Sequence, residues 1–229
     1  MAAPKKSALI VVDMQEDFCE PNGALAVKDG RGVVNYINEL LSYTGFSLKI
    51  ATQDFHPHDH ISFASQHPGT KAFTSEHTIK NPENGEETQT TLLWPDHCVR
   101  GTKGVELIPE LHQDKLSHTV HKGLDTRVEA YSAFGPPFRN PKISMSELDG
   151  ILKGAGITDV FVVGLAYDFC VKCTAVDAME HGYRTFLIED GTKGVFQSKD
   201  AVEGLGKELK EKGVELVGAD STVVQALKG

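Results

Sequence analysis

The sequence predicts an α/β fold, a three-layer sandwich in which a mostly parallel sheet of about six strands is flanked by helices. Three observations predict it. Six short runs are almost continuously apolar and β-branched, at 8–12, 48–52, 118–121, 160–165, 185–188 and 214–218. Such runs suit strands buried on both faces, the condition of a parallel sheet. Segments of helical periodicity lie between them, and strands alternating with helices build a parallel sheet. The composition is that of an ordinary globular chain, 40% hydrophobic and 24% charged over 229 residues.

The elements follow in order. ALIVV at 8–12 opens the sheet. Over 32–44, Val33, Val34, Ile37, Leu40 and Leu41 recur at helical spacing and predict the first helix. LKIAT at 48–52 is the second strand. From 55 to 104 the rhythm fails, and this stretch holds six of the ten histidines (His56, His58, His60, His67, His77 and His97). Loops of that length are functional or disordered, and Trp94 with its aromatic neighbours argues for order. HTVH at 118–121 resumes the sheet. Ser144 and Glu147 have capping-box spacing ahead of Leu148, Ile151 and Leu152. After VFVVGL at 160–165, Val171, Ala175, Ala178 and Met179 share one face of a helix over 170–182. TFLI at 185–188 precedes a helix over 199–212, with Ala201, Val202, Leu205 and Leu209 on one face, and VELVG at 214–218 closes the sheet. No internal repeat interrupts this order. Residues 1–229 read as a single domain with an insert at about 55–104.

Charge and cysteine content narrow the function. The net charge is −9 and the isoelectric point is near 5.5. That balance argues against nucleic acid and anionic membranes as partners, since both attract basic surfaces. The longest apolar run, at 160–166, is far too short to span a bilayer. Lys5 and Lys6 lead directly into the first strand, so no signal peptide is expected, and the terminal ALKG is not a peroxisomal tripeptide. Four cysteines do not make a disulfide scaffold. A reducing compartment is expected, the cytoplasm first, with the nucleus or a peroxisome reached by association left open.

Ligands of open parallel sheets bind at the carboxyl ends of the strands. After the first strand comes Asp13; after the second come Gln53, Asp54 and His56; after the third comes Lys122; after the fourth comes the segment from Ala166 to Cys170. One sheet edge therefore receives a carboxylate, a pair of metal-ligand types, an amine and a thiol. Cys170 lies in the first turn of a helix, where N–H groups and the helix dipole favour a thiolate and could hold an oxyanion. A cysteine is otherwise often a small buried hydrophobe. Asp13 reads as a general base for the thiol or as a turn cap. Lys122 reads as a cation beside both or as a solvated lysine. Cys170 and Cys173 also spell Cys-x-x-Cys, a redox spacing that is common by chance on helices. Cys19 and Cys98 lack such a context and read as structural.

Asp54 and His56 stand at i and i+2, on one side of an extended segment, and His58 and His60 continue that alternation. With His97 beyond Trp94, one carboxylate and two imidazoles suit zinc, or iron or manganese. His60 is a weaker candidate, as an extra ligand or a supporting partner. Surface exposure is the ordinary fate of any one loop histidine.

Together these residues resemble the nicotinamidase/pyrazinamidase family of the isochorismatase-like cysteine hydrolases. The stretches that carry the resemblance are ALIVVDMQEDFC (8–19), TQDFHPHDHISFASQHPG (52–69), LLWPDHCVRGTKGVEL (92–107), HKGLDTRVEAYSAF (121–134) and GLAYDFCVKCTAVDA (164–178). The longer insert around 70–90 is similar to eukaryotic, fungal-type members. The resemblance implies a catalytic triad of Asp13, Lys122 and Cys170, and one zinc ion per chain, or another divalent metal, held by Asp54, His56 and His97. It also implies a cis bond between Leu165 and Ala166, an oxyanion hole from the N–H groups of Ala166 and Cys170, and substrate contacts at Phe18, Trp94, Tyr131 and Ala166. The implied activity is hydrolysis of nicotinamide, and of pyrazinamide, through a Cys170 thioester, in NAD salvage. Another amidase of the superfamily, or a non-catalytic zinc-binding protein, is the alternative, and a homo-oligomer stays open.

Overall fold

β1, Ser7–Val12, is buried along its whole length, and its side chains alternate between two cores. Leu9 and Val11 join Ile37, Leu40 and Leu41 of helix α1 (Val34–Ser42) on one face of the sheet. Ala8, Ile10 and Val12 join, on the other face, Leu148 and Leu152 of α2 (Leu148–Gly154), Ala175 and Ala178 of α3 (Lys172–Glu180) and Leu209 of α4 (Lys199–Glu211). A strand buried on both faces cannot show polar alternation, and this is why the runs of β1 and of the later strand at 159–165 read as continuous. Each fully buried Leu or Ile contributes about 1.5–3 kcal/mol to this packing. The molecule is thus a helix–sheet–helix sandwich.

A computed structural model describes residues 5–229. Its main sheet comprises β1, β2 (Phe46–Asp54), β5 (His118–Lys122), β6 (Asp159–Leu165), β7 (Arg184–Lys193) and β8 (Glu215–Val217), in the order β5-β2-β1-β6-β7-β8. Every pairing in it is parallel. The chain runs outward from β1 through β2 to β5, then crosses to β6 on the other side of β1. The strand order therefore reverses between β1 and β6, and a crevice opens at the carboxyl ends there. A short helix α5, Thr222–Gln225, ends the chain. Among the described residues no helix is long and apolar enough to cross a membrane.

Three local expectations are corrected. The stretch without periodicity contains an antiparallel hairpin, β3 (Glu76–Lys80) with β4 (Thr88–Leu92). Only Ile79 and Thr91 of its ten residues are buried, so polar residues conceal the period. Ser144 does not cap α2; its hydroxyl donates to Asp125 Oδ2 over 2.8 Å, and Ser146 Oγ instead accepts from Leu148 N–H. Val202 on α4 faces outward, 38% exposed, because α4 buries only the stripe around Gly206 and Leu209.

Candidate active site

Strand register brings the polar residues together. Asp54 and Lys122 end β2 and β5 and are direct partners in that pairing. Asp13 follows β1 with φ of +48°, a left-handed turn that Asp tolerates better than most residues and that directs the chain out of the sheet. Lys122 Nζ lies 3.0 Å from Asp13 Oδ2 and 3.4 Å from Cys170 Sγ, donates to Ala130 O over 3.2 Å, and is also bonded to Asp54 Oδ1. Carboxylate oxygens of Asp13 and Asp54 lie within 4.8 Å of each other and of Cys170 Sγ. All four residues are buried. The ammonium sits at ion-pair distance from Asp13 Oδ2 but off the hydrogen-bond direction, so that buried oxygen is left without a hydrogen-bond donor.

The charges of this cluster oppose desolvation. Burial alone would neutralise Lys122, but Asp13 and Asp54 hold its ammonium well above the ordinary range. Burial would likewise raise Asp54, and Lys122, His56 and His97 outweigh it and hold that carboxylate well below the ordinary range. Burial raises Asp13 despite Lys122. The expectation of a lowered Cys170 thiol is corrected. Burial pushes it well above the ordinary range, and the pull of Lys122 is opposed by Asp13 and Asp54. Cys170 lies inside a π-helical turn, Tyr167–Val171, so its surroundings rather than a free α-helix N-terminus set its charge. Half-buried Cys173 is also pushed up, to about 11, chiefly by burial. Neither thiol of the Cys-x-x-Cys has thiolate character at rest.

A second group adjoins the first. His56 Nε2 and His97 Nε2 lie 3.6 and 3.8 Å from Asp54 Oδ2. His56 Nδ1 is held by Gly123 O at 3.0 Å and His97 Nδ1 by Pro95 O at 2.7 Å. When the outer ring nitrogen donates to a carbonyl, the inner one is left as a lone pair, the tautomer that ligates metals. His56 Nε2 is buried and has no hydrogen-bond partner. Burial, then His56, pushes His97 down to about 4, into the neutral form. His56 is raised, because Asp54 outweighs burial, so the space between them favours a positive charge, whether proton or metal ion. The donor set fits a divalent cation of borderline softness. Gly123 makes the fit possible: at φ of +65°, a Cβ there would stand 2.3 Å from His56 Cε1.

His60 is near this group but outside it. Its ring centroid is 4.0 Å from that of His56, while Nδ1 meets Ser62 Oγ at 2.8 Å and Nε2 meets Val128 O at 3.1 Å. Both nitrogens are occupied. Burial, then His56, pushes His60 down to about 2. The alternation expected at His58 does not hold, since its side chain is 89% exposed on the turn after His56. Cys19 and Cys98 are buried and free.

Phe18, Trp94, Tyr131, Ala166 and Cys170 line one cleft with Asp54 and His97. The Leu165–Ala166 bond at its floor is cis. Trp94 Nε1 donates to Tyr131 Oη over 2.8 Å, and Phe169 stands perpendicular to Trp94 at 4.9 Å. Sequence reasoning missed several participants. Gln15 bridges three chain segments: Nε2 donates to Asp54 O and Val105 O, and Oε1 accepts from Asp54 N–H. Thr52 Oγ1 donates to Asp13 Oδ1 over 2.6 Å. Buried Glu129 lines the cleft, its carboxyl raised by burial against the pull of His56 and Lys122. Gln15 had a signal, since a strand-end polar residue two places after Asp13 is easily noted; Glu129 and Phe169 had none beyond lying in the matching stretches.

The Isochorismatase domain family matches residues 7–220. This chain belongs to the isochorismatase family. It is 40% identical over 190 residues to the nicotinamidase of Escherichia coli, covering 82% of this chain and 83% of that one. Among solved structures, yeast nicotinamidase bound to the inhibitor nicotinaldehyde is similar with a TM-score of 0.87 and 33% identity, covering 93% of this chain and 99% of the other. A Pyrococcus horikoshii pyrazinamidase in complex with zinc has a TM-score of 0.71 and 33% identity, with 93% and 99% covered.

Proposed function

We propose that this protein is a nicotinamidase, an amidohydrolase that converts nicotinamide to nicotinate and ammonia through a Cys170 thioester and serves NAD salvage. The observation that carries the reading is the buried contact of Lys122 with Asp13 and Cys170, joined to the Asp54–His56–His97 group by the bond of Lys122 to Asp54. Curated relatives named nicotinamidase, from bacteria and yeasts at 34–40% identity, support it. Pyrazinamide is a second substrate; one relative, from Mycobacterium tuberculosis, is named nicotinamidase/pyrazinamidase. We also read the longer insert around 70–90 as that of a eukaryotic, fungal-type member. We read the chain as one domain acting in the cytoplasm.

The reaction begins with a neutral thiol. Asp13 Oδ2, buried and without a hydrogen-bond donor, takes the Cys170 proton. The Lys122 ammonium at 3.4 Å stabilises the thiolate as it forms, and sulfur attacks the amide carbon. The carbonyl oxygen gains charge and is held by the N–H groups of Ala166 and Cys170; one such donor is worth about 3–4 kcal/mol in the transition state. Protonated Asp13 returns its proton to the leaving nitrogen, and ammonia departs from the Cys170 thioester. Asp13 then deprotonates a water that cleaves the thioester, releasing nicotinate and restoring the thiol. Asp54, His56 and His97 would hold one divalent ion, zinc in our reading, which when bound supplies a coordination position for the pyridine nitrogen. Phe18, Trp94 and Tyr131 bind the ring faces. The cleft is narrow, and half-buried Phe169 and Val195 complete its wall. Release of ammonia from nicotinamide by the purified protein tests the reading, and its absence in metal-loaded protein overturns it.

A further inference from the structure

β6 and β7 end side by side, with Leu165 paired to Lys193. The turn that carries Cys170 therefore emerges beside the loop that follows β7, residues 194–197. Asp168, two residues before Cys170 in that turn, binds the loop with both carboxylate oxygens. Oδ1 accepts from Val195 N–H over 2.9 Å and Oδ2 from Phe196 N–H over 2.8 Å. Such charge-assisted bonds are roughly twice as strong as neutral ones. Gln197 holds the other end: its Nε2 donates to Lys28 O over 2.8 Å and to Gly194 O over 2.9 Å. The loop thus runs from the nucleophile turn to the segment that carries Leu25. What it bears explains the anchoring. Val195 and Leu25 both line the cleft. Phe196, although 51% exposed, keeps its ring 6.1 Å from that of Phe169, which packs on Trp94 and Tyr131. A short loop with exposed residues at 196 and 197 has few packing contacts of its own to fix it.

We propose that Asp168 is a positioning residue for the substrate ring. Its carboxylate fixes the loop 194–197 so that the Val195 side chain completes the wall against which the ring is held. Asp168 touches no reacting atom and acts through Val195. The inference deepens the proposed activity and rests on it, since the ring in question is that of nicotinamide. The ring does not react, so its wall holds ground state and transition state alike. Loss of the Asp168 carboxylate therefore weakens binding and leaves the chemical step of Cys170, Asp13 and Lys122 largely unchanged. The rival role predicts the opposite split. Were Asp168 needed to shape the turn that presents Cys170, kcat would fall and affinity would hold.

The test compares the kinetics of ammonia release from nicotinamide in variants of the full chain. Asp168→Ala should raise KM about tenfold, a difference of about 1.4 kcal/mol, and change kcat by less than about threefold. Asp168→Asn keeps one acceptor oxygen of the two and should fall between wild type and Asp168→Ala. Gln197→Ala frees the loop from its other end and should raise KM in the same sense. Val195→Ala should add little to Asp168→Ala, because residues that act as a unit are not additive. Two measurements need no turnover. Nicotinamide should bind Cys170→Ala about tenfold more tightly than Cys170→Ala with Asp168→Ala. Hydrogen exchange at the Val195 and Phe196 amides should accelerate in Asp168→Ala. A wild type that releases no ammonia would overturn the proposed function, with binding and exchange still deciding the role of Asp168. A fall in kcat at unchanged KM, unaltered affinity in the Cys170→Ala background, additive effects of Asp168→Ala and Val195→Ala, or unaltered exchange would each overturn that role.

Discussion

Thr52 Oγ1 donates to Asp13 Oδ1 over 2.6 Å, from the neighbouring strand and wholly out of solvent. The bond lowers the Asp13 pKa, while burial, the larger influence, raises it. It also leaves the other carboxylate oxygen free to take a proton. The consequence is a pH effect of definite sign. A base whose pKa is raised loses activity as pH falls through that raised value, so the acid limb lies above the ordinary carboxylate range. Thr52→Val removes a stabilising bond from the ionised form and should move the limb of kcat/KM further up, by roughly 1–2 pH units. An unmoved limb would separate Asp13 from the base role.

Asp13→Asn retains the shape but cannot accept the thiol proton. Its kcat should fall by roughly 10²-fold or more, the lower range for positioned acid–base catalysis. Near-normal turnover would remove Asp13 as the base.

Cys170→Ala should abolish turnover while nicotinamide binding persists, because the ring is held by other groups. Mass spectrometry of the quenched wild type should find a nicotinoyl adduct on Cys170. Residual activity near the wild-type level would refute covalent catalysis.

Metal content distinguishes His97 from His60. His97→Ala should deplete bound metal strongly. His60→Ala should retain one ion per chain, because both ring nitrogens of His60 are engaged by Ser62 and Val128. Full occupancy in His97→Ala would mean that the ligand set is misassigned. Gly123→Ala offers an independent check: its Cβ would meet the His56 ring, so metal should be lost although no ligand is changed.

Nicotinamide and pyrazinamide should be good substrates and benzamide a poor one. The three share the carboxamide and differ at the ring atom meta to it. A site built around a polar partner rejects an analogue lacking it by up to about 10⁴-fold. Stacking on Phe18, Trp94 and Tyr131 treats the rings alike. Comparable kcat/KM values for nicotinamide and benzamide on metal-loaded protein would favour a broader amidase.

The sequence by itself determined the sheet and much of the chemistry. Runs such as 8–12 and 160–165 announce strands buried on two faces, and helical spacing at 34–41 announces the cover, because burial period is a local property of the chain. The residues at the strand ends, Asp13, Asp54, Lys122 and Cys170, were legible for the same reason, since sheet geometry sends them to one edge. The β3–β4 hairpin was not legible, as its burial is confined to two residues. Tertiary structure alone decided what those side chains do to one another. That both Asp13 and Asp54 meet Lys122 depends on strand order and register. The thiol of Cys170, expected to be lowered by a helix end, is raised because folding strips it of water beside two carboxylates, an effect absent from any local pattern. His58 and His60 stand two residues apart in one polar run, yet one is in solvent and the other is sealed beside His56; only the path of the loop, set by contacts as distant as Val128, separates them.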